Sequence, residues 1–147
     1  MNTPLILIQL LLAHVLTDFV FQSKNWVEEK KKDGLKSGYF WGHIMLSGAL
    51  TYLILMQWTN WEAPLFIAIM HGLIDSWKIK QERNLDVKNS EIDDDKDKLT
   101  GTKYFFTDQL LHLVTILLAW LYLTRNFGEV VPSVVLFFTD IKGLAVL

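Results

Sequence analysis

Most of the charged residues of this chain fall in two stretches, and the tracts around them are long and apolar. The stretches are residues 24–36 and 78–103, both rich in lysine and acidic residues. Hydrophobic residues make up 51% of the chain, which is close to the share of about 45–50% in soluble domains. The distribution is therefore more informative than the total, and this segregation of charge is typical of a polytopic membrane protein.

The apolar tracts predict an all-α, polytopic transmembrane helical bundle that forms a single domain over residues 1–147. The expected spans are about 3–21, 38–58, 63–77 and 104–123. The third is short, because its length as a helix covers about 22 Å of a hydrocarbon core of about 30 Å. The apolar segment 130–147, which contains Asp140 and Lys142, is left open as a fifth span, a re-entrant piece or a surface segment.

The distribution of lysine predicts the orientation. The loops 23–37 and 78–103 carry most of the lysines, so the positive-inside bias places both in the cytoplasm and the N-terminus outside a bacterial inner membrane. Residues 23–37 are expected to form either a short surface helix at the lipid headgroups or a solvated loop. Residues 78–103 are interpreted as a solvated linker, because their acidic run lacks the glycine and the closing glutamate of a calcium loop.

All four histidines lie in apolar tracts, and three of them have an aspartate one helical turn away, which puts both side chains on one helix face. With the predicted topology, the aspartates lie about 3–6 Å and the histidines about 8–12 Å from the cytoplasmic ends of their helices. Each group therefore lies at a similar depth. Because the last helix runs opposite to the first and third, its aspartate must precede its histidine in the sequence for the pair to reach the same layer. The residues are His14 with Asp18, His71 with Asp75, Asp108 with His112, and the single His43.

Ionisable groups in a membrane are costly, at about 2.5–3.5 kcal/mol for one central aspartate, and are functional candidates for that reason. A bound metal, a metal-free proton or ion network, or a purely structural network would each offset the cost. Four imidazoles with three carboxylates suit Zn²⁺ first, with Mn²⁺ or Fe²⁺ as alternatives, and the chain has no cysteine to contribute. All seven residues are therefore predicted metal ligands, and Asp18, Asp75 and Asp108 are also predicted catalytic bases.

Two further polar residues are predicted to contact substrate. Gln22 lies one turn after Asp18, and Lys78 follows the third apolar tract. Gln22 is equally well explained as a simple interface residue, and Lys78 could instead pair with Asp75, three residues before it. The lipid bilayer is the expected partner, a homo-oligomer or a larger membrane complex is open, and the slightly negative net charge of −2 gives no reason to expect nucleic acid.

The segments LLAHVLTDFVFQ, HGLID and DQLLH resemble the bacterial membrane proteins catalogued as domain of unknown function 3307, over the chain up to about Leu123. That resemblance implies a helical fold and a membrane location rather than an activity. The His-x-x-x-Asp pairs are also distantly similar to those of zinc-dependent phospholipase C and P1-type nucleases. The chain lacks the amino-terminal tryptophan ligand of those enzymes and has fewer ligands than their three-metal cluster needs, so a two-metal phosphoesterase is the most that this similarity implies.

These observations predict a metal-dependent membrane hydrolase that acts on a phosphoester bond in a lipid or lipid-linked substrate. One alternative is a transporter or channel for divalent cations or protons, which needs a polar route through the outer half of the bundle. The other is a non-catalytic subunit of a membrane complex in which a closed metal shell fixes the helices.

Overall fold

The computed structural model describes residues 3–88 and 94–124, and this part of the chain is helical without a β-strand, which confirms the all-α prediction. The predicted fifth apolar segment, 130–147, lies outside the described residues. The helices are α1, Thr3–Val15, which continues as a π-helical turn, Leu16–Val20; α2, Lys24–Asp33, followed by a 3₁₀ turn, Gly34–Lys36; α3, Gly38–Leu55; α4, Glu62–Lys88; and α5, Asp94–Thr124.

Two stretches of these helices are long and apolar enough to cross a membrane, Thr3–Val20 and Thr100–Thr124. They coincide with the first and last of the four predicted spans. Length and composition are thus consistent with a membrane association and with two of the four predicted spans, whereas the predicted spans 38–58 and 63–77 do not meet the same criterion. The α3 helix has no acidic or basic side chain apart from His43, but its serine, threonine and tyrosine residues lower its hydropathy.

The segment 78–103 differs from the solvated linker that was predicted. Helix α4 runs on to Lys88, and α5 begins at Asp94. Lysine, glutamate, glutamine and arginine are good helix formers, and residues 78–88 contain no glycine or proline that would end the helix. A charged composition therefore indicates that a segment lies outside the membrane, but it does not end the helix.

Helices α1, α3, α4 and α5 form a closed arrangement in which α1 and α4 each contact both α3 and α5. Helices α3 and α4 approach closely at Gly72, where an added Cβ would lie 2.6 Å from Ile44 Cδ1. One end of the bundle is filled by an apolar core of Ile6, Leu10, Leu55, Ile67, Ile116 and Ala119.

Of the two structures predicted for residues 23–37, the helix is the one observed, as α2. The Ser23 hydroxyl caps it by accepting a hydrogen bond from Trp26 N at 3.4 Å. Gly34 ends it with a φ of 60°, a left-handed conformation that glycine adopts without strain. The helix packs against α3 and α4, so it covers the end of the bundle opposite the apolar core.

Candidate metal centre

Each of the four bundle helices contributes one histidine, and the four imidazole rings meet inside the bundle. The ring centroid of His71 lies 4.7 Å from that of His43 and 4.4 Å from that of His112, and the His14 ring stacks on His112 at 5.1 Å. His43, His71 and His112 are between 1% and 3% exposed. The structure therefore brings together the four histidines that the sequence places on separate helices.

The tightest part of this cluster joins His43, His71 and Asp18. The Nε2 atoms of His43 and His71 are 2.8 Å apart, and Asp18 Oδ1 lies 3.4 Å from each of them. Two ligands on a tetrahedral zinc are separated by about 3.3 Å, given Zn–N bonds of about 2.0–2.1 Å. The three atoms thus have nearly the spacing of one face of a metal site, and a small outward movement of one imidazole would complete it.

Asp18 owes its position to a local distortion of the first helix. It lies in the π-helical turn Leu16–Val20, where Phe21 N donates to Leu16 O at 2.9 Å. The Thr17 hydroxyl donates back to Ala13 O, a bond that often bends a helix. Turns of this kind occur often at functional sites, and this one keeps Asp18 Oδ2 within 3.7 Å of His14 Nδ1.

Asp75 and Asp108 are each paired with a lysine. Lys30 Nζ, from α2, lies 2.7 Å from Asp75 Oδ2, and Lys78 Nζ lies 2.9 Å from Asp108 Oδ2. Lys78 therefore pairs across the bundle with Asp108 rather than along its own helix with Asp75. Partial burial opposes the charge of Lys78, but the carboxylates of Asp108, Glu82 and Asp75 together outweigh it and raise the pKa of Lys78 above its ordinary value.

Several ligand atoms of the cluster are buried without a hydrogen-bond partner among the described residues. They include Asp18 Oδ1, Asp108 Oδ1 and His112 Nε2. Buried polar groups are normally paired, so these atoms fit a bound cation. The ligand atoms also form three groups whose members lie within 4.8 Å of one another: His14, Asp18 and His71; His43, His71 and Asp75; and Asp75, Asp108 and His112.

A cleft of about 60 Å³ lies beside the histidine layer on the side covered by α2. Its wall includes Gln22 and Lys78, the two predicted substrate contacts, and also Lys30. Gln22 Nε2 lies 3.1 Å from His43 Nε2 as well, so this side chain reaches the cluster itself. The rest of the lining is formed by apolar side chains, all three aspartates and three other polar residues: Phe19, Val27, Ile79, Phe105, Asp18, Asp75, Asp108, Lys31, Glu82 and Gln109.

Sequence reasoning missed two residues of the site, Lys30 and Gln109. Gln109 Oε1 lies 3.3 Å from His14 Nε2, and nothing in its local sequence distinguishes it. Lys30 is one of several neighbouring lysines, but it follows Trp26 by one helical turn and Val27 by three residues. That apolar spacing identifies the inner face of α2, and Lys30 is the lysine on that face.

Comparison with known proteins identifies the family of the chain but does not identify an activity. The chain matches the family described as protein of unknown function, DUF3307, over residues 6–139. No curated protein and no solved structure matches it. The expected similarity to zinc-dependent phospholipase C and P1-type nucleases is accordingly not shown. The match over most of its length, together with the helical bundle described above, means that the chain belongs to the DUF3307 family.

Proposed function

We propose that this protein is a metal-dependent hydrolase of the bacterial inner membrane that cleaves a phosphoester bond in a lipid or lipid-linked substrate. The observation that carries the proposal is the convergence of His43 Nε2, His71 Nε2 and Asp18 Oδ1 at 2.8–3.4 Å, deep in the bundle. Such a set of neutral nitrogens and a carboxylate is typical of transition-metal sites.

The distribution of exposed side chains supports a membrane environment for all four bundle helices. Each presents large apolar residues outwards: Ile8 and Leu110 are 60% exposed, Leu73 is 60% exposed and Met45 is 74% exposed. Polar residues such as His43, Ser47 and Asp108 are buried instead. Extensive exposed apolar surface marks contact with a membrane or another protein, so this arrangement supports four spans in lipid.

The position of the cleft supports a cytoplasmic site. It is lined by Lys30, Lys31 and Lys78, which belong to the two lysine-rich segments that the positive-inside bias assigns to the cytoplasm. The apolar residues Phe19 and Phe105 lie beside these charges and are 57% and 42% exposed. The lysines suit a phosphate at the depth of the lipid headgroups, and the apolar side chains suit the acyl chain attached to that phosphate.

In this proposal the four histidines and one or more of Asp18, Asp75 and Asp108 would hold the metal. A divalent ion of this kind supplies a nucleophile at neutral pH by lowering the pKa of bound water to about 7. An aspartate that is not a ligand would accept the proton of the attacking water. Lys30, Lys78 and Gln22 bind the phosphate oxygens, and the buried position of the histidine layer limits access of bulk water.

A transporter would use the same residues, but the described part of the bundle favours the hydrolase. The space beneath the histidine layer is about 10 Å³ and is lined by Ser47, Thr51 and Thr115 among others. Thr51 and Thr115 both use their hydroxyls to bond carbonyls of their own helices. Beyond them lies the apolar core, and Gln9 beside it uses its side-chain Nε2 to donate to Ile54 O at 2.8 Å.

The test is the metal content and activity of the full chain, purified in detergent with a tag that contains no histidine. Elemental analysis should find at least about one transition metal per chain, and chelation should abolish hydrolysis of a chromogenic phosphodiester or a short-chain lipid phosphate. His14→Ala and His71→Ala should each lose metal, whereas Thr51→Val, a buried change whose hydroxyl bonds Ser47 O and no ligand atom, should keep it.

The possible negative results of this experiment contradict different parts of the proposal. Wild-type protein without metal would overturn the metal centre, and metal-loaded protein without hydrolysis would overturn the enzyme. Full metal occupancy in either histidine variant would remove that residue from the ligand set.

A further inference from the structure

The three ligand groups form a chain, because the first two share His71 and the last two share Asp75. The first and third groups have no residue in common. We infer, on the basis of the proposed metal centre, that the cluster holds two divalent cations in unequal subsites. Subsite A consists of His14, Asp18, His43 and His71, and subsite B consists of Asp75, Asp108 and His112, with Asp75 next to both.

Subsite B has a histidine that is already oriented for a metal. His112 Nδ1 lies 2.9 Å from the backbone oxygen of Asp108. A carbonyl oxygen only accepts hydrogen bonds, so Nδ1 carries the proton and the neutral ring presents a lone pair at Nε2. A hydrogen bond of this type at the other ring nitrogen is the usual companion of a metal-bound histidine.

The free atoms of subsite B point to a second cation independently of subsite A. His112 Nε2 and Asp108 Oδ1 are both buried without a hydrogen-bond partner in the described residues, and their side chains are 3% and 1% exposed. Both atoms are acceptors, so neither can satisfy the other, and Lys78 binds the opposite oxygen, Oδ2, of Asp108. A cation next to Asp108 Oδ1 and His112 Nε2 satisfies both atoms.

The lysines make the subsites unequal. Lys30 and Lys78 neutralise the two carboxylates of subsite B, whereas the ion pairs of Asp18 among the described residues are all with histidine. Subsite B therefore binds its cation more weakly. With both subsites occupied, two divalent cations and two ammonium groups outweigh three carboxylates, and this positive charge favours an anionic substrate such as a phosphoester.

The test is a metal titration of the full chain in detergent after removal of metal with a chelator. Equilibrium dialysis with Zn²⁺ should give two equivalents per chain, with dissociation constants that differ at least about tenfold. Asp108→Asn and His112→Gln should each leave one equivalent at unchanged tight affinity. Lys78→Met should strengthen the weak step several-fold, because it removes a competing positive charge, and Thr115→Val is the matched control that should retain both steps.

Wild-type protein loaded with Mn²⁺ gives a second measurement that does not depend on the folding of any variant. Two ions at neighbouring subsites should show exchange coupling in the electron paramagnetic resonance spectrum. One equivalent in the wild type, with an uncoupled spectrum, would overturn the second subsite and leave the proposed function intact. Two equivalents in both Asp108→Asn and His112→Gln would overturn the assignment of subsite B, and no bound metal at all would overturn both proposals.

Discussion

At the scale of single residues, the Lys30–Asp75 ion pair connects α2 to the proposed metal centre. Its side chains are 7% and 8% exposed, and its atoms are 2.7 Å apart. Removing one partner of a buried pair leaves the other charge without compensation, at a cost of about 3–5 kcal/mol. The neighbouring Lys31 also forms an ion pair, with Glu82 at 3.0 Å, but its side chain is 45% exposed.

This difference predicts unequal effects of two adjacent substitutions on the metal-free protein. Lys30→Met should lower the free energy of unfolding by about 3–5 kcal/mol, whereas Lys31→Met should change it by about 0–1 kcal/mol, because exposed pairs contribute little. Thermal unfolding in detergent measures both. Addition of metal should recover part of the stability of Lys30→Met, since a cation then compensates Asp75. Equal losses in the two variants would contradict the buried ion pair.

At the scale of elements, the direction of each helix decides whether its polar groups reach the common layer. Helices α1 and α4 carry histidine before aspartate, and α5 carries aspartate before histidine. The three pairs meet only if α5 runs opposite to the other two. The proposed four-span bundle would impose the same alternation, because successive spans cross a membrane in opposite directions and lysine-rich loops remain in the cytoplasm.

The elements therefore predict a defined topology. Reporter fusions at Asn60, in the turn between α3 and α4, should show activity that indicates a position outside the cell. Fusions at Asn89, between α4 and α5, should indicate a position inside. Activity on the same side at both positions would contradict α4 as a membrane span, and a consistent reversal would contradict the inward orientation of the site.

At the scale of the whole molecule, the histidine–aspartate cluster connects all four bundle helices, so the proposed metal would stabilise the entire fold. A ligand at about 100 times its dissociation constant contributes about 2.7 kcal/mol. For a chain of this size the melting temperature should rise by about 5–10 °C on addition of metal. Asp18→Asn should remove most of that increase, and Thr51→Val should retain it. An equal increase in Asp18→Asn would indicate that the metal binds elsewhere.

The amino-acid sequence by itself determined the all-α fold and the pairing of histidine with aspartate along single helices. Both depend on local periodicity: residues four apart lie on one face of a helix whatever surrounds it. Burial was determined in the same way, because an isolated charge in an apolar tract must face the interior of the bundle. Helical periodicity does not predict which residues of the other helices each histidine or aspartate contacts.

The tertiary structure decided which groups meet across helices. In the folded chain, His43 Nε2 contacts His71 Nε2, and Lys78 forms an ion pair with Asp108 instead of Asp75. Lys30 of α2 forms an ion pair with Asp75 inside the site. These contacts depend on the rotation and register of whole helices, which are set by packing such as the close approach at Gly72. Helix packing acts between residues far apart in the chain, and for that reason no local pattern contains it.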